Sequence, residues 1–262
     1  MNIDLTNKHA VVCGSTQGIG KAVAIELACL GAGVTLIARN ESVIKAIKDG
    51  LDTSKGQHHD YICADFSWPS DLELQVKRYA EERKEIHILV NNTGGPQGGP
   101  LLNAKPEDFT QAFSNHLICN QILVQAFVEG MKNSGYGRII NIISTSVKEP
   151  IQGLGVSNTI RAAVANWAKT LSFELGAFGI TVNNVLPGAT NTARLTSLLE
   201  AKSKATGKPV EVLKQAMLDA IPAGRFAETD EIANAVAFLA SPAAAYINGV
   251  NITVDGGRMG CS

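Results

Sequence analysis

A glycine-rich segment near the amino terminus is the clearest candidate for ligand chemistry in this sequence. Gly14, Gly18 and Gly20 follow an apolar run directly and lead into a helical pattern. Glycine lets main-chain N–H groups approach a pyrophosphate, and the helix directs the positive end of its dipole to the same place. The spacing predicts a dinucleotide phosphate loop, with a tight turn that binds nothing as the alternative. The residues predicted to contact the cofactor here are Gly14, Ser15, Gln17, Gly18, Ile19 and Gly20.

The end of the second apolar run indicates which dinucleotide the loop would bind. The run Val34–Ala38 is followed by Arg39, at a position where an acid would hydrogen-bond the ribose 2′-hydroxyl of NAD. A guanidinium instead offers paired donors and a permanent charge to a 2′-phosphate. The sequence therefore favours NADP(H) over NAD(H). A solvated arginine at a strand end is the alternative.

Seven apolar, β-branched runs, most of them separated by helical patterns, would have to position these residues. Runs that are apolar on both faces and joined by helices are typical of a parallel sheet covered on both sides. The sequence predicts a single three-layer, doubly wound (Rossmann-type) α/β domain over residues 1–262, with a mainly parallel seven-stranded sheet. The predicted strands are His9–Cys13, Val34–Ala38, Tyr61–Ala64, Ile86–Val90, Arg138–Ile143, Thr181–Val185 and Val250–Val254.

Composition excludes several other classes of protein. The chain has 262 residues, 45% of them hydrophobic, and a formal net charge of −1. A net charge this close to zero does not match the strongly basic character expected of a nucleic-acid binder or a polybasic membrane protein. The five cysteines form no C-x-x-C pair, so we expect neither a disulfide framework nor a metal site. Because the amino terminus lacks a basic signal region and the longest uncharged run contains Asn and Pro, we expect a cytoplasmic protein without a membrane partner.

Five motifs in order along the chain resemble those of the short-chain dehydrogenase/reductase family, particularly its β-ketoacyl-carrier-protein-reductase-like members. The family patterns are T-G-x-x-x-G-x-G, an acid that contacts adenine, N-N-A-G, P-G-x-x-x-T and V-D-G-G. The matching segments are Cys13–Gly20, Asp65, Asn91–Gly94, Pro187–Thr192 and Val254–Gly257. The resemblance implies that the cofactor is also contacted by Asp65, Asn91, Gly94, Pro187, Gly188, Thr190 and Thr192.

The same resemblance implies an active site that this sequence matches only in part. Members of the family use a Ser, a Tyr with a Lys four residues later, and an Asn in the preceding long helix. Ser144 and Asn115 stand where the family has its Ser and Asn. The family's Tyr and Lys positions hold Ser157 and Arg161, and no Y-x-x-x-K occurs anywhere in the chain. The predicted catalytic residues are Asn115, Ser144, Ser157 and Arg161, with Arg161 also binding cofactor ribose hydroxyls.

The serine at position 157 leaves the source of the proton open. An aliphatic hydroxyl is a much poorer acid than a phenol, whose ordinary pKa is about 10. Arginine can donate hydrogen bonds but cannot give up its proton. Lys148 is an alternative donor, with a solvated loop lysine as the competing interpretation. His116 is another, but adjacent helical residues point about 100° apart, which favours a packed histidine over a catalytic one.

The resemblance also implies that the segment after Pro187–Thr192, the motif that holds the nicotinamide amide in the family, covers the substrate. Residues 193–222 carry apolar positions that suit either an aliphatic substrate or packing against the domain. Lys202, Lys204 and Lys208 would meet an acidic group or form a solvated face. The family also implies a homo-oligomer, a homotetramer or a dimer, that pairs through two long helices at about Pro106–Met131 and Gly155–Phe178. Alanines on the second helix would permit close packing.

These observations lead to two hypotheses of different kinds. The first is an NADP(H)-dependent oxidoreductase of the carbonyl reductase or alcohol dehydrogenase type, similar to 3-oxoacyl-carrier-protein reductases, with an atypical active site and a small-molecule substrate. The second is a catalytically inactive or weakly active NADP(H)-binding protein that acts as a sensor or scaffold. Intact Asn115 and Ser144 favour the enzyme.

Overall fold

The computed structural model describes residues 1–83 and 85–260 of the chain; Lys84 and the last two residues of the predicted domain lie outside them. Seven strands form one sheet in the order β3-β2-β1-β4-β5-β6-β7, and every neighbouring pair is parallel. The predicted Rossmann-type α/β fold is therefore confirmed. The strands are β1 (His9–Cys13), β2 (Gly33–Ala38), β3 (Asp60–Cys63), β4 (Ile88–Asn91), β5 (Gly137–Ile142), β6 (Ile180–Pro187) and β7 (Asn251–Val254).

The predicted strands differ from the observed ones only at their ends. β4 begins two residues later than the apolar run Ile86–Val90 suggested, because His87 N–H still donates to the His9 carbonyl before the ladder starts. β6 continues to Pro187, which pairs with Val254 on β7. Residues at strand ends remain buried beyond the ladder, so an apolar run alone does not fix the boundary.

The helices pack in two layers against the sheet. One buried cluster joins apolar side chains of α1, α2 and α9 to one face, and a second joins α3, α5 and α6 to the other. No helix within residues 1–83 and 85–260 is long and apolar enough to cross a membrane. The α-helices are α1 (Gly18–Cys29), α2 (Glu41–Asp49), α3 (Pro69–Glu82), α4 (Pro106–Phe113), α5 (Cys119–Ser134), α6 (Gly155–Leu175), α7 (Ala193–Thr206), α8 (Val210–Asp219) and α9 (Thr229–Ala240).

The first of the two predicted long helices is interrupted. Between α4 and α5 the residues Ser114–Ile118 form a π-helical turn, and α5 then continues to Ser134. A π turn carries one more residue per hydrogen-bonded loop than an α turn, so it rotates the side chains that follow it. The interruption falls on Asn115 and His116, two residues singled out in the sequence.

A ladder of four asparagines, three of them buried, crosses four strands of the sheet. Asn91 on β4 donates to the Asn141 side chain on β5 at 2.8 Å, and Asn141 donates to Asn184 on β6 at 2.9 Å. Asn184 in turn donates to Asn251 on β7 at 2.8 Å. The four residues are aligned in the strand register, so each side-chain amide meets the next. Buried amides need partners, and the ladder gives the amide nitrogens of Asn91, Asn141 and Asn184 an acceptor each without breaking the backbone pairing. The Asn91 Oδ1 atom has no partner within the described chain.

Candidate active site

A cavity of about 950 Å³ opens at the carboxyl ends of the central strands. The loops that follow β1, β2, β3, β4, β5 and β6 all contribute to its wall. In doubly wound α/β proteins, this edge of the sheet is where ligands bind. Most of the site residues predicted from the sequence line it. They are Gly14, Gln17, Gly18, Ile19, Arg39, Asp65, Gly94, Asn115, Ser144, Ser157, Arg161, Pro187, Gly188, Thr190 and Thr192.

The glycine-rich loop has the backbone that only glycine adopts easily. Gly14 and Gly18 have φ angles of 58° and 54°, in the left-handed region. A Cβ on Gly20 would lie 2.2 Å from the Gly14 carbonyl oxygen, so the first turn of α1 packs directly on the loop. No side chain of the described residues caps the start of α1 at Gln17. Its first N–H groups are therefore free to bind an anion in the cavity.

Three predicted cofactor residues do not line the cavity. Ser15 is fully buried, with its hydroxyl directed at the Ile37 carbonyl, and Gly20 faces the loop itself. Asn91 belongs to the buried asparagine ladder. Asn92 is the residue of this pair that reaches the site, where its amide donates to the Cys13 and Gly14 carbonyls at 3.2 and 3.3 Å. Successive residues of an extended chain point to opposite faces, and this alternation is the sequence signal that separates Asn91 from Asn92.

Two charged residues predicted to contact the adenosine part of the cofactor lie at the ends of neighbouring strands. Arg39 is exposed where β2 ends, and Asp65 follows β3. Within the described parts of the chain, no carboxylate lies within 4.0 Å of the Arg39 guanidinium. The Asp65 carboxylate accepts from the Ser67 main chain at 2.9 Å. The Arg39 side chain is thus available to an anion at this end of the cavity.

The segment after β6 borders the glycine-rich loop. A Cβ on Gly188 would lie 2.8 Å from the Cα of Asp255, so the chain can pass here only as glycine. Thr192 caps α7 by accepting from the Leu195 main chain at 3.3 Å. Its methyl group lies 3.4 Å from where a Cβ on Gly18 would stand. Thr192 is therefore positioned over the start of α1.

Ser144 lies immediately beyond β5 at the cavity wall. Ile143 N–H donates to the Val185 carbonyl at 3.0 Å, which holds the chain in line with the sheet just before the serine. The Ser144 Oγ atom then accepts from the Ser146 main chain at 3.1 Å and caps a short 3₁₀ turn. Since this bond uses a lone pair of the hydroxyl, its hydrogen remains available to an acceptor in the cavity.

Ser157 and Arg161 lie one turn apart on α6 and contact each other. The Arg161 Nε–H donates to the Ser157 Oγ atom at 3.2 Å, and Nη1 donates to the Ile142 carbonyl at 3.2 Å. Burial, together with the nearby Arg194 guanidinium, lowers the pKa of Arg161 to about 10. Arg161 remains a cation at neutral pH, and the Ser157 hydroxyl keeps its own hydrogen to donate.

The π turn brings Asn115 to the cavity and turns His116 away from it. With its amide nitrogen directed at the main chain, Asn115 donates to the Phe66 carbonyl at 2.9 Å. His116 is buried and its Nδ1 atom lies 2.6 Å from the Thr93 hydroxyl. Burial, reinforced by the charge of Arg161, lowers the pKa of His116 to about 3. A neutral, packed histidine agrees with the favoured interpretation of the sequence.

The cavity also includes residues that sequence reasoning missed. Arg194, in the first turn of α7, lines the same region as Arg161. A Cβ on Gly95 would lie 3.3 Å from Arg194 Nη2 and 3.4 Å from Arg161 Nη2. Lys148 is not part of the wall formed by the described residues. The sequence signal for Arg194 is its position two residues after Thr192, but the direction of its side chain depends on how α7 packs.

Lys202, Lys204 and Lys208 likewise lie outside the described cavity wall. Lys202 and Lys204 are on α7 beyond its first turns, and Lys208 follows its end. Leu195 and Leu198 of α7 and Met217 of α8 line the cavity instead. The segment therefore presents apolar side chains, not its lysines, to the site.

Comparison with known proteins agrees with this architecture. Residues 14–258 match the family model described as Enoyl-(Acyl carrier protein) reductase. The 3-oxoacyl-[acyl-carrier-protein] reductase FabG of Vibrio cholerae is 36% identical over 258 residues, covering 97% of this chain and 98% of that protein. The NADPH-dependent reductase BacG of Bacillus subtilis is 29% identical over 256 residues, covering 97% of this chain and 99% of that protein.

Two solved structures superimpose over nearly the whole chain. The NADPH-dependent reductase YwfH, involved in bacilysin biosynthesis, has a TM-score of 0.90 at 29% identity and covers 97% of this chain and 99% of its own. The L-sorbose reductase of Gluconobacter frateurii, solved with NADPH and L-sorbose, has a TM-score of 0.92 at 28% identity with complete coverage of both chains. From the family match and the identity to FabG, this chain belongs to the short-chain dehydrogenase/reductase family.

Proposed function

We propose that this protein is an NADP(H)-dependent oxidoreductase of the carbonyl reductase or alcohol dehydrogenase type, with an atypical active site. The observation that carries the proposal is one continuous cavity with a phosphate loop and Arg39 in its wall together with Ser144, Ser157 and Arg161. Relatives described as NADPH-dependent reductases support the same cofactor and reaction class.

The residues of the cavity fit an NADP(H) molecule. Positive φ angles at Gly14 and Gly18 and the uncapped start of α1 suit a pyrophosphate. Arg39 has no carboxylate partner among the described residues and stands where a 2′-phosphate would be recognised. The structures solved with bound NADPH or NADP among the relatives support this assignment. Arg161 would bind ribose hydroxyls, as its position in the family implies.

NADP(H), when bound, would supply or accept the hydride, and the protein would have to stabilise the carbonyl oxygen. Ser144 and Ser157 each accept a bond from an N–H group and so direct their own hydrogens elsewhere. Two such hydroxyl donors would stabilise negative charge that develops on the substrate oxygen. The Arg161 cation increases the polarity of the Ser157 O–H bond through its Nε–H. Because serine is a weak acid, the final proton would come from water admitted beside Ser157.

A second candidate function is an inactive or weakly active NADP(H)-binding sensor or scaffold. The buried Ser157, held by an arginine that cannot release a proton, favours this alternative. Loss of a general acid typically costs about 10²–10⁴-fold in rate, so cofactor binding would survive a large loss of activity. Asn115 and Ser144 in the cavity wall favour the enzyme.

The covering segment and the oligomer are further parts of the proposal. Residues 193–222 form α7 and α8 and place Leu195, Leu198 and Met217 at the cavity, as a cover for an aliphatic substrate would. Of the small-residue face on α6, Ala165 and Ala168 are buried within the chain, whereas Ala162 is exposed and Ala163 half-buried. Phe173, 74% exposed, is a large apolar group on the same helix for a partner copy. We propose a dimer or homotetramer in the cytoplasm.

Titration with NADPH and NADH, followed by a turnover assay on a panel of ketones, tests the proposal. We expect NADPH to bind at least tenfold more tightly and to be oxidised in the presence of a ketone. Tight NADPH binding without turnover on any ketone would select the sensor or scaffold. Absence of binding to either dinucleotide would exclude both candidates.

A further inference from the structure

Two arginines meet at the part of the cavity wall where Ser157 lies, and this pair is not needed for the phosphate loop. The terminal Nη2 atoms of Arg161 and Arg194 lie 3.4 and 3.3 Å from a single point, the Cβ position of Gly95. Thr192 lies over the start of α1, whereas Arg194 donates to the Pro96 carbonyl. The pair therefore lies beside Gly95 and Pro96, in the loop that follows β4.

The charge of this pair is uncompensated within the described chain. No carboxylate among residues 1–83 and 85–260 lies within 4.0 Å of either guanidinium. Two like charges at short range in a partly desolvated wall repel each other. An anion placed between them offsets this repulsion and is attracted by both guanidinium groups. Arg194 also stands in the first turn of α7, where the helix dipole disfavours a cation and favours an anion.

Existing hydrogen bonds fix the two guanidiniums but leave donors free. Arg161 uses Nε for Ser157 and Nη1 for the Ile142 carbonyl, and its Nη2 atom lies by Gly95. Arg194 uses Nη2 for the Pro96 carbonyl, and its other N–H groups have no acceptor within the described chain. Thr93, two residues before Gly95, contacts the buried His116 at 2.6 Å. Pre-positioned guanidinium groups with free donors match a carboxylate in geometry and charge.

Apolar side chains line the loop three residues beyond Gly95. A Cβ on Gly98 would lie 3.1 Å from Leu154, 3.3 Å from the Gly153 carbonyl oxygen and 3.6 Å from Leu198, so this loop runs between α7 and the start of α6. Leu195 and Met217 line the same cavity. A ligand that satisfies both features has one anionic group and an apolar body.

We infer that the site accepts a carboxylate-bearing carbonyl compound with an apolar body, whose carboxylate is bound between Arg161 and Arg194 beside Gly95. This inference rests on the proposed function for its reaction, but the carboxylate site can be tested without turnover. The reduced carbonyl would face Ser144 and Ser157, while the carboxylate orients the substrate without taking part in hydride transfer.

Hexanoate and hexanamide are suitable probes because they share size and apolar tail and differ in charge. Calorimetric titration of both into the free and the NADPH-loaded protein measures the preference for the acid. We expect hexanoate to bind about tenfold or more tightly than hexanamide, since a charge-assisted bond is stronger than a neutral one. Equal binding of the two probes to the wild-type protein would overturn the inference.

Arg194→Gln removes one charge of the pair and should abolish most of the preference for the acid. Arg258→Gln is the matched control, because Arg258 also lines the cavity, whereas the three atoms nearest to the Gly95 Cβ position all belong to Arg161 and Arg194. A preference that survives in Arg194→Gln, or that falls equally in both variants, would show an effect of net charge instead of a built site. NADPH affinity measured on the same samples tests the proposed function separately. The proposed function and the carboxylate site can therefore fail independently of each other.

Discussion

The Arg161 Nε–H donates to the Ser157 hydroxyl at 3.2 Å across one turn of α6. The pair joins a fixed cation to an aliphatic hydroxyl in the cavity wall. Its geometry makes Ser157 an oriented hydrogen-bond donor, although not a strong acid. The first two predictions follow from this contact.

Ser157→Ala should lower kcat on the order of 10²-fold, because one of two donors to the developing oxyanion is lost. Steady-state kinetics with NADPH and an accepted ketone measure the change. Thr159→Ala is the matched control: Thr159 is an exposed hydroxyl on the same helix that donates to the Gly155 carbonyl at 3.0 Å. A similar fall in both variants would mean that α6 was disturbed, and an unchanged kcat in Ser157→Ala would exclude this residue from the reaction.

Ser157→Tyr combined with Arg161→Lys should increase turnover of simple neutral ketones by about tenfold or more, because a tunable phenol replaces a weak acid. Each single variant serves as a control, since the phenol and the amine are expected to act together. The measurement is kcat/KM on a neutral ketone with NADPH. No gain in a folded double variant would indicate that the cavity shape, not the missing acid, limits this chemistry.

Arg39→Ala should reduce the preference for NADPH over NADH by about 10–100-fold, the equivalent of one charge-assisted contact to a 2′-phosphate. Fluorescence titration with both dinucleotides measures it. Arg78→Ala, at an exposed position on α3 that pairs with Glu82, should leave the ratio unchanged. A preserved preference in Arg39→Ala would remove this residue from cofactor selection.

Stability should fall as the pH is lowered from about 6.5 towards 3, because two buried histidines stay neutral in the fold. Burial lowers the pKa of both His9 and His116 to about 3, so below pH 6.5 the unfolded chain binds protons that the folded chain does not. Each contributes up to about 1.4 kcal/mol per pH unit in this window. Between pH 7 and pH 5, the free energy of unfolding measured with urea should fall less in His116→Asn than in the wild-type protein.

The exposed His58 supplies the control for that experiment. His58→Asn should retain the full loss of unfolding free energy between the two pH values. If His116→Asn retains it as well, the buried histidine does not remain neutral in the folded protein.

Asn141→Ala should destabilise the fold by about 2–4 kcal/mol, because Asn141 bonds to both Asn91 and Asn184 inside the sheet and its removal leaves buried amides unpaired. Asn251→Ala, at the exposed end of the same ladder, loses one bond and should cost about 1 kcal/mol or less. Urea denaturation measures both. Equal costs would mean that the ladder is not a coupled buried network.

Some site features were predictable because they depend on local backbone geometry. The glycine spacing of the loop after β1 indicates positive φ angles and close packing, and the structure has positive φ at Gly14 and Gly18 and close packing at Gly20. Arg39 was predictable because its place follows from where β2 ends. The asparagine pair was harder: strand alternation separates Asn91 from Asn92, but which of them faces the cavity depends on the sheet's register.

By itself, the sequence determined the seven-stranded α/β fold and the backbone of the glycine-rich loop after β1, since apolar periodicity and glycine spacing act over a few residues. It also established that no Y-x-x-x-K is present. Only the tertiary structure decided that Arg161 bonds to Ser157 and that Arg194 joins it beside Gly95. Arg161 and Arg194 belong to helices far apart in the chain, and their meeting depends on how α7 packs over the carboxyl ends of the strands. Long-range packing of this kind leaves no periodic signal in one sequence.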